Sequence, residues 1–299
     1  MAVKLSTTLV FLCGQVGCAA ILGIPDAALD SDGDTLVDTD DNCKEIYNPG
    51  QFDEDRDGIG NECDNCPLIG NPQQENESEL ATGNDADDLG DACDPEPELM
   101  NQLILFESFD SELKADEWQS TMGDWKTTDG ALRQSSRLSR ASIYYRPVVG
   151  NDLLRIEVVA EYRNPASRRE VSAIFRGGGI LFETSADEET GYGCWTMYNL
   201  DDDFQGYTVP KFEQIAGSIA ITFIPSGSVM RAFVENESSV HTAEIDGQVK
   251  RCIVRDLNSE PPFTANTRSD GEYDGDGVGL MTSYTEATFH YIYVITINP

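Results

Sequence analysis

The sequence predicts an all-β protein, an antiparallel β-sandwich of about 200 residues preceded by an irregular segment with no apolar core of its own. Three observations predict it. From Leu99 onward, short runs rich in Val, Ile, Tyr and Phe alternate with Gly, Asn and Asp turns, with no convincing helical period. Residues 26–98 hold 24 Asp and Glu against only Lys44 and Arg56, so most of the chain's net charge of -34 sits in that quarter of its 299 residues. The same quarter is poor in Leu, Val, Ile and aromatics, so apolar burial there cannot offset the ordering entropy without ions or cross-links.

The first element is a leader. MAVK carries one positive charge, and residues 5–16 (LSTTLVFLCGQV) form an apolar run of signal-peptide length, too short to span a bilayer. The following GQVGCAA, with Gly17 before Cys18, resembles a bacterial lipobox, although Gln15 stands where that motif usually has Leu. The resemblance implies cleavage before Cys18 and a diacylglycerol on its thiol, with residues 1–17 as signal and 18–29 as tether. Ordinary cleavage after Ala20 is the alternative, and either way the mature chain is exported.

Setting aside Cys13 and Cys18, six cysteines remain at 43, 63, 66, 93, 194 and 252. An even number in an exported chain reads as disulfides. A zinc site on Cys63 and Cys66 is the rival, but no second pair follows at zinc spacing and both histidines lie far off, at 241 and 290.

The second element, residues 30–98, repeats itself. DSDGDTLVDTDDNC, DEDRDGIGNECDNC and the looser GNDADDLGDACD place oxygen-bearing residues at loop positions 1, 3, 5, 9 and 12, the spacing that lets alternate residues of a tight loop face one calcium ion. The first loop offers Asp30, Asp32, Asp34, the Leu36 carbonyl, Asp38 and Asp41, with Thr35 where a glycine is expected and hence a strained turn. In the second the set is Asp53, Asp55, Asp57, the Ile59 carbonyl, Asn61 and Asp64. The third keeps Asp85, Asp87, Asp91 and Asp94, with Gly83 at position 1. A solvated acidic linker is the bland alternative. No amphipathic helix brackets the loops as in an EF-hand.

The order DNC, NPGQFDEDRDGIGNEC, DNCPLIGNPQQ and LGDACD resembles the thrombospondin type 3 repeat over residues 30 to about 95. The resemblance implies chain wound irregularly around calcium ions, and it pairs Cys43 with Cys63 and Cys66 with Cys93. About seven extra residues around 76–81 depart from the family.

The third element, residues 99–299, carries the strand runs LILFES, LLRIEVVAEY, VSAIFR, GILFET, YGCWTMY, SIAITFI, VMRAFVE, VKRCIVR, VGLMTS and ATFHYIYVITI. Cys194 and Cys252 lie mid-strand with no other partner left, so we expect them joined. FESFDSELKADEWQSTMGDWKTTDGALRQSS and DGDGVGLMTSYTEATFHYIYVITI resemble the opening and closing strands of concanavalin A-like (laminin G-like) jelly rolls. That fold serves glycan binding, glycoside hydrolysis and adhesion alike. The ExDxxE carboxylates of laminarinase-like relatives are missing, and Glu157 and Glu161 stand four apart on an otherwise apolar strand. Trp195 and Tyr198 are candidates to stack on a sugar ring, as are Tyr145 and Tyr162, although aromatics at strand spacing are more often core. Asp270, Asp274 and Asp276 offer another calcium loop or a solvated turn.

The expectation is therefore a calcium-binding exported lipoprotein of the outer membrane or cell surface, or failing the lipid a secreted one, with a lectin-like domain for glycans or surface proteins. It is expected not to be an enzyme, with a secreted glycan-active hydrolase as the alternative. The net charge of -34 argues against nucleic acid or an anionic membrane surface as the main partner.

Overall fold

A computed structural model describes residues 29–83, 85–97, 99–147, 153–166, 176–184, 190–200, 206–216, 219–223, 231–232, 238–246, 249–256, 263–268 and 277–297. The leader, Cys18 and Asp270, Asp274 and Asp276 lie outside them. The chain divides into two compact units, residues 1–74 and 75–299.

Described residues of the first unit contain no strand or helix, only turns and bends. Apart from Pro67, its buried side chains among the described residues are polar or sulfur: Cys43, Cys66, Asp34, Asp41, Asn48, Asn61 and Asp64. Cys43 and Cys63 form a disulfide with a Cα–Cα distance of 5.7 Å. Cys66 is disulfide-bonded as well.

The second unit opens with a short 3-10 helix, Glu79–Thr82, and continues as an antiparallel β-sandwich. In chain order the strands are β1 (Asn101–Glu107), β2 (Trp118–Met122), β3 (Trp125–Thr127), β4 (Leu132–Gln134), β5 (Ala141–Tyr145), β6 (Leu153–Arg163), β7 (Arg176–Thr184) and β8 (Thr190–Leu200). They continue with β9 (Gly206–Ala216), β10 (Ile219–Phe223), β11 (Arg231–Ala232), β12 (Ser238–Asp246), β13 (Val249–Asp256), β14 (Phe263–Arg268), β15 (Gly277–Ser283) and β16 (Glu286–Ile297). One sheet runs β14-β13-β12-β6-β16-β4-β3 with β1 also on β16, and the other runs β10-β9-β8-β7-β15-β5-β2 with β11 also on β9. This is the predicted jelly-roll class.

Alternation explains the layering. Ile156, Val158, Ala160 and Tyr162 of β6 meet Ile180 and Phe182 of β7, Tyr192 and Cys194 of β8, and Val278 and Leu280 of β15 in one core. On β16 the inward residues Phe289 and Ile292 are three apart rather than two, because a bulge between Phe289 and Tyr291 breaks the register against β6. The bulge turns both His290 and Tyr291 outward. A disulfide joins Cys194 of β8 to Cys252 of β13, Cα–Cα 5.2 Å, and so ties the two sheets together.

Candidate functional site

The first two loops have the same backbone. In the first, Asp30 accepts the N–H groups of Gly33 (2.7 Å) and Thr35 (3.2 Å), Asp32 that of Asp34 (3.0 Å), and Asp34 that of Leu36 (2.8 Å). The second repeats this 23 positions on: Asp53 accepts from Arg56 (2.7 Å) and Gly58 (3.0 Å), Asp55 from Asp57 (3.1 Å), and Asp57 from Ile59 (2.9 Å). Both loops turn through positive φ at positions 4 and 6, and each has a glycine at only one of them: Gly33 and Thr35, Arg56 and Gly58.

This curl brings one carboxylate oxygen from each of Asp30, Asp32 and Asp34 within 4.8 Å of the others, and does the same for Asp53, Asp55 and Asp57. One oxygen of each inner carboxylate is taken by the loop's own N–H groups. The other Oδ2 atoms of Asp32, Asp34 and Asp55 are buried and receive no hydrogen bond. Asp34 is 1% exposed. Burial, together with the like charges of Asp57, Asp64 and Asp53, pushes the Asp55 carboxyl up to about 6. Asp32 is raised by burial and by Asp34, Asp41 and Asp30.

Position 12 is fixed by a second shared device. Asp41 accepts from Cys43 N–H (2.8 Å) and Gln51 Nε2 (2.8 Å), and Asp64 from Cys66 N–H (2.8 Å) and Gln74 Nε2 (2.7 Å). At position 9, Asp38 takes the N–H of Ser31 (2.9 Å) and Asn61 that of Glu54 (3.0 Å). The ligand atoms of each cluster are carboxylate oxygens alone, without His or Cys; that chemistry fits calcium.

In the third loop the structure differs from the spacing reading. Position 9 marks the start of each loop through one backbone bond: Asp38 N to Leu29 O (2.8 Å), Asn61 N to Phe52 O (2.9 Å) and Asp91 N to Glu75 O (2.9 Å). The third loop thus begins at Asn76, not Gly83. Asp85 is exposed. Asp91 takes the N–H groups of Glu77 and Ser78, both at 3.0 Å. Only Asp87 and Asp94 of the expected four converge, and the carboxylate that joins them within 4.8 Å is Glu79 of the 3-10 helix, fully buried. The signal that finds it is the NPxQ tetrad: aligned on Gln51 and Gln74, position 1 falls on Asp53 and Asn76, and the extra residues fall inside the loop.

In the sandwich, Trp195 is 6% exposed, packed with Tyr144, Leu181 and Met281 and lying over Gly193, where a Cβ would strike the indole. It is packed rather than open. The Tyr198 side chain lies outside the described residues. His241 is fully buried, with Nε2 near the hydroxyls of Ser239 (3.0 Å), Thr196 (3.1 Å) and Tyr162 (3.3 Å); burial lowers its pKa to about 3. It is a neutral polar pin between β12, β6 and β8.

The outward face of β6 and β16 is polar and aromatic. Glu157 accepts from Tyr291 Oη (2.9 Å), Arg155 Nη2 (2.8 Å) and Thr242 Oγ1 (3.2 Å), and Glu161 lies 3.1 Å from His290 Nε2. Phe106 of β1 borders Tyr291 and Tyr293, with ring centroids 6.2 and 6.3 Å apart. The bulge on β16 supplies this face, and the sequence does not announce the bulge. Separately, strands β2, β3 and β5 and the segment before β2 line a cavity of about 500 Å³ with Trp118, Trp125, Lys126, Ile143 and Glu112.

No protein-family model and no characterised protein sequence matches the chain. Among solved structures it is similar to the CBM2 module of the evolved Dit of Lactobacillus casei BL23 phage J-1, at 10% identity over 67% of this chain and 97% of that one, TM-score 0.48. It is also similar to the catalytic domain of an endo-1,3-β-glucanase (laminarinase) from Thermotoga petrophila RKU-1, at 11% identity over 67% of this chain and 100% of that one, TM-score 0.44. With a xylan β-1,4-xylosidase from Bacillus halodurans C-125 it shares 14% identity over 63% of its own length, spanning 38% of that chain, TM-score 0.42. The expectation that the chain is not an enzyme is corrected here: glycoside hydrolases stand among the structures it resembles, and that expectation is withdrawn. Glu157 and Glu161 do not stand alone on an apolar strand: Glu157 is bonded by Tyr291 and Glu161 lies beside His290 on one polar face.

Proposed function

We propose that the chain is an exported calcium-binding protein whose β-sandwich binds carbohydrate. The observation that carries the reading is the pair of congruent loops in which three carboxylates converge within 4.8 Å while the Oδ2 atoms of Asp32, Asp34 and Asp55 stay buried without a donor. Anions held that close, with acceptors desolvated and unused, need a cation. The resemblance to thrombospondin type 3 repeats agrees with that need. Lipid attachment at Cys18 and residence on the outer membrane or cell surface belong to the same reading and rest on residues 5–20 of the sequence.

The carbohydrate part is supported by the half-buried Phe106 and Tyr291 beside Glu157 and Glu161, and by the cavity that the half-buried Trp125 lines. Aromatic planes with carboxylate acceptors at their edges suit a pyranose ring and its hydroxyls, and the cavity is of small-ligand size. Equilibrium dialysis of the full mature chain against calcium tests the first half: binding should be lost one ion at a time in Asp32→Asn and Asp55→Asn, and a chain that binds no calcium at millimolar concentration refutes it. A glycan array probed with wild type, Tyr291→Ala and Trp125→Ala tests the second, since retention by both variants or binding to no glycan rejects the assigned surfaces. Mass spectrometry of the membrane fraction decides the lipid, because an unmodified chain beginning at Ile21 excludes it.

A further inference from the structure

The third acidic cluster is built unlike the other two, and it belongs to the unit that contains the sandwich. Four positions separate Asp53 from Asp57 in the second loop, whereas eleven separate Asn76 from Asp87 in the third. The seven additional residues lie inside the loop. They form the Glu79–Thr82 helical turn, closed by Gly83 at φ +90° and tied at its start by Asp91, which takes the N–H groups of Glu77 and Ser78. Their effect is to bury Glu79 beside Asp87 and Asp94.

The partner of this cluster is the first residue of the sandwich. Asn101 begins β1 and pairs with Ile297 of β16. Its N–H donates to Asp87 Oδ2 at 2.5 Å, as Asn71 N–H donates to Asp57 Oδ2 at 2.6 Å in the second loop. Its Nδ2 donates to Asp94 Oδ1 at 2.6 Å, the part that Gln74 plays for Asp64. A carboxylate only accepts, so the amide nitrogen faces Asp94 and the amide oxygen is left over. That Asn101 Oδ1 is buried without a hydrogen-bond partner, in a residue 1% exposed, and so is Asn76 Oδ1 at loop position 1. A buried amide oxygen without a donor, on a residue whose two nitrogens already bond two of three converging carboxylates, is the kind of neutral oxygen that a hard divalent cation would use.

We propose that Glu79, Asp87 and Asp94 hold a divalent cation of the calcium class against Asn101, and that this ion clamps β1 onto the sandwich, so that the stability of the sandwich itself depends on calcium. The proposal rests on the calcium reading of the first two loops and adds a site whose key ligand comes from the inserted turn. It also makes the unit that carries the ligand-binding faces responsive to the ion.

All three tryptophans, Trp118, Trp125 and Trp195, lie in the second unit, so a melt followed by tryptophan fluorescence reads the sandwich alone. With the full mature chain, adding 1 mM calcium after chelation should raise that midpoint by about 3–6 °C, taking a site with Kd near 0.1 mM. Glu79→Gln should raise the midpoint in chelator, because it removes one of three crowded charges, and should abolish the calcium response. It should also lower the number of ions bound by one. Asp55→Asn should lose one ion and keep the response. The proposal is overturned if the wild-type tryptophan midpoint ignores calcium while the first two loops bind it, or if Glu79→Gln keeps both the response and the ion. A chain that binds no calcium at all fails the calcium reading itself, an outcome the dialysis count separates from the other two. Should Glu79→Gln fold poorly, Asp94→Asn is scored by the same ion count and midpoint shift.

Discussion

Thr35 sits at φ +85°, where its β-branched side chain meets the preceding carbonyl, while the matching position of the second loop is Gly58 at φ +96°. A non-glycine residue held there costs about 1–3 kcal/mol, and a glycine in its place returns about 0.5–1 kcal/mol of that as unfolded-chain entropy. Thr35→Gly should therefore tighten calcium binding by the first loop about two- to fivefold, read by titration against an Asp55→Asn, Glu79→Gln background that silences the other two clusters; unchanged or weaker binding would show that the loop carries no strain there. At His241 the environment fixes a protonation state rather than a bend. Its folded pKa of about 3 lies below the ordinary 6.5, so its contribution is fully present above pH 6.5 and is lost as pH falls toward 3. Each pH unit inside that window removes roughly 1.4 kcal/mol. Denaturant melts of wild type and His241→Gln at pH 7 and pH 5 should show the larger pH loss in the wild type, and equal slopes would mean that His241 is not buried neutral.

At the scale of elements, what could be read in the sequence was whatever packing leaves as a period. β6 and β16 show strong apolar alternation because their inner faces form the core. β12, by contrast, is interior in its sheet yet reads SSVHTAEID, because of its inward positions only Ile245 is large and apolar, the others including the polar pin His241 and small Ala243. The strand is hidden by its own polarity. β9 is masked by Pro210, a residue that reads against a strand, which stands opposite Thr196 of β8 and falls between the segments that pair with β11 at Thr208 and with β10 at Phe212. The carboxylate spacing of the first two loops was legible because alternate residues of a tight turn share a face. Glu79 was not, since its place depends on where an insertion lies, and the glycine of ATGND mimics a loop start. The outer face of β16 was likewise invisible, because one bulge reverses the alternation after Phe289. The Cys194–Cys252 bridge encloses 58 positions, for which the chain-entropy account gives about 4 kcal/mol. Replacing both cysteines by Ala should lower the tryptophan-reported denaturant midpoint accordingly while leaving the ions of the first two loops in place, and loss of an ion from either of those loops would contradict their independence of the core.

For the whole molecule, the uneven charge sets how the first unit answers to protons and calcium together. Asp55 is raised to about 6, by burial first and then by Asp57, Asp64 and Asp53, and Asp64 is raised by burial as well. A carboxyl whose folded pKa lies above its unfolded value favours the folded loop below the unfolded pKa, and that contribution is lost as pH rises through about 6. Without calcium the loops should therefore tighten on mild acidification, the reverse of ordinary acid denaturation. Calcium inverts the sign, because it needs the same oxygens ionised and must displace the proton to bind. Below pH 6 each unit of acidity should then weaken binding at the second loop by about tenfold, so its Kd at pH 5 should be roughly ten times that at pH 7.5. Calorimetric titration at pH 5.5 in two buffers of different ionisation enthalpy should register release of about one proton per ion at that loop, and Asp55→Asn should remove it. A calcium affinity flat between pH 7.5 and 5, with no proton released, would mean that the carboxylates of Asp53, Asp55 and Asp57 are held apart in solution and that the acidic quarter of the chain is a solvated spacer.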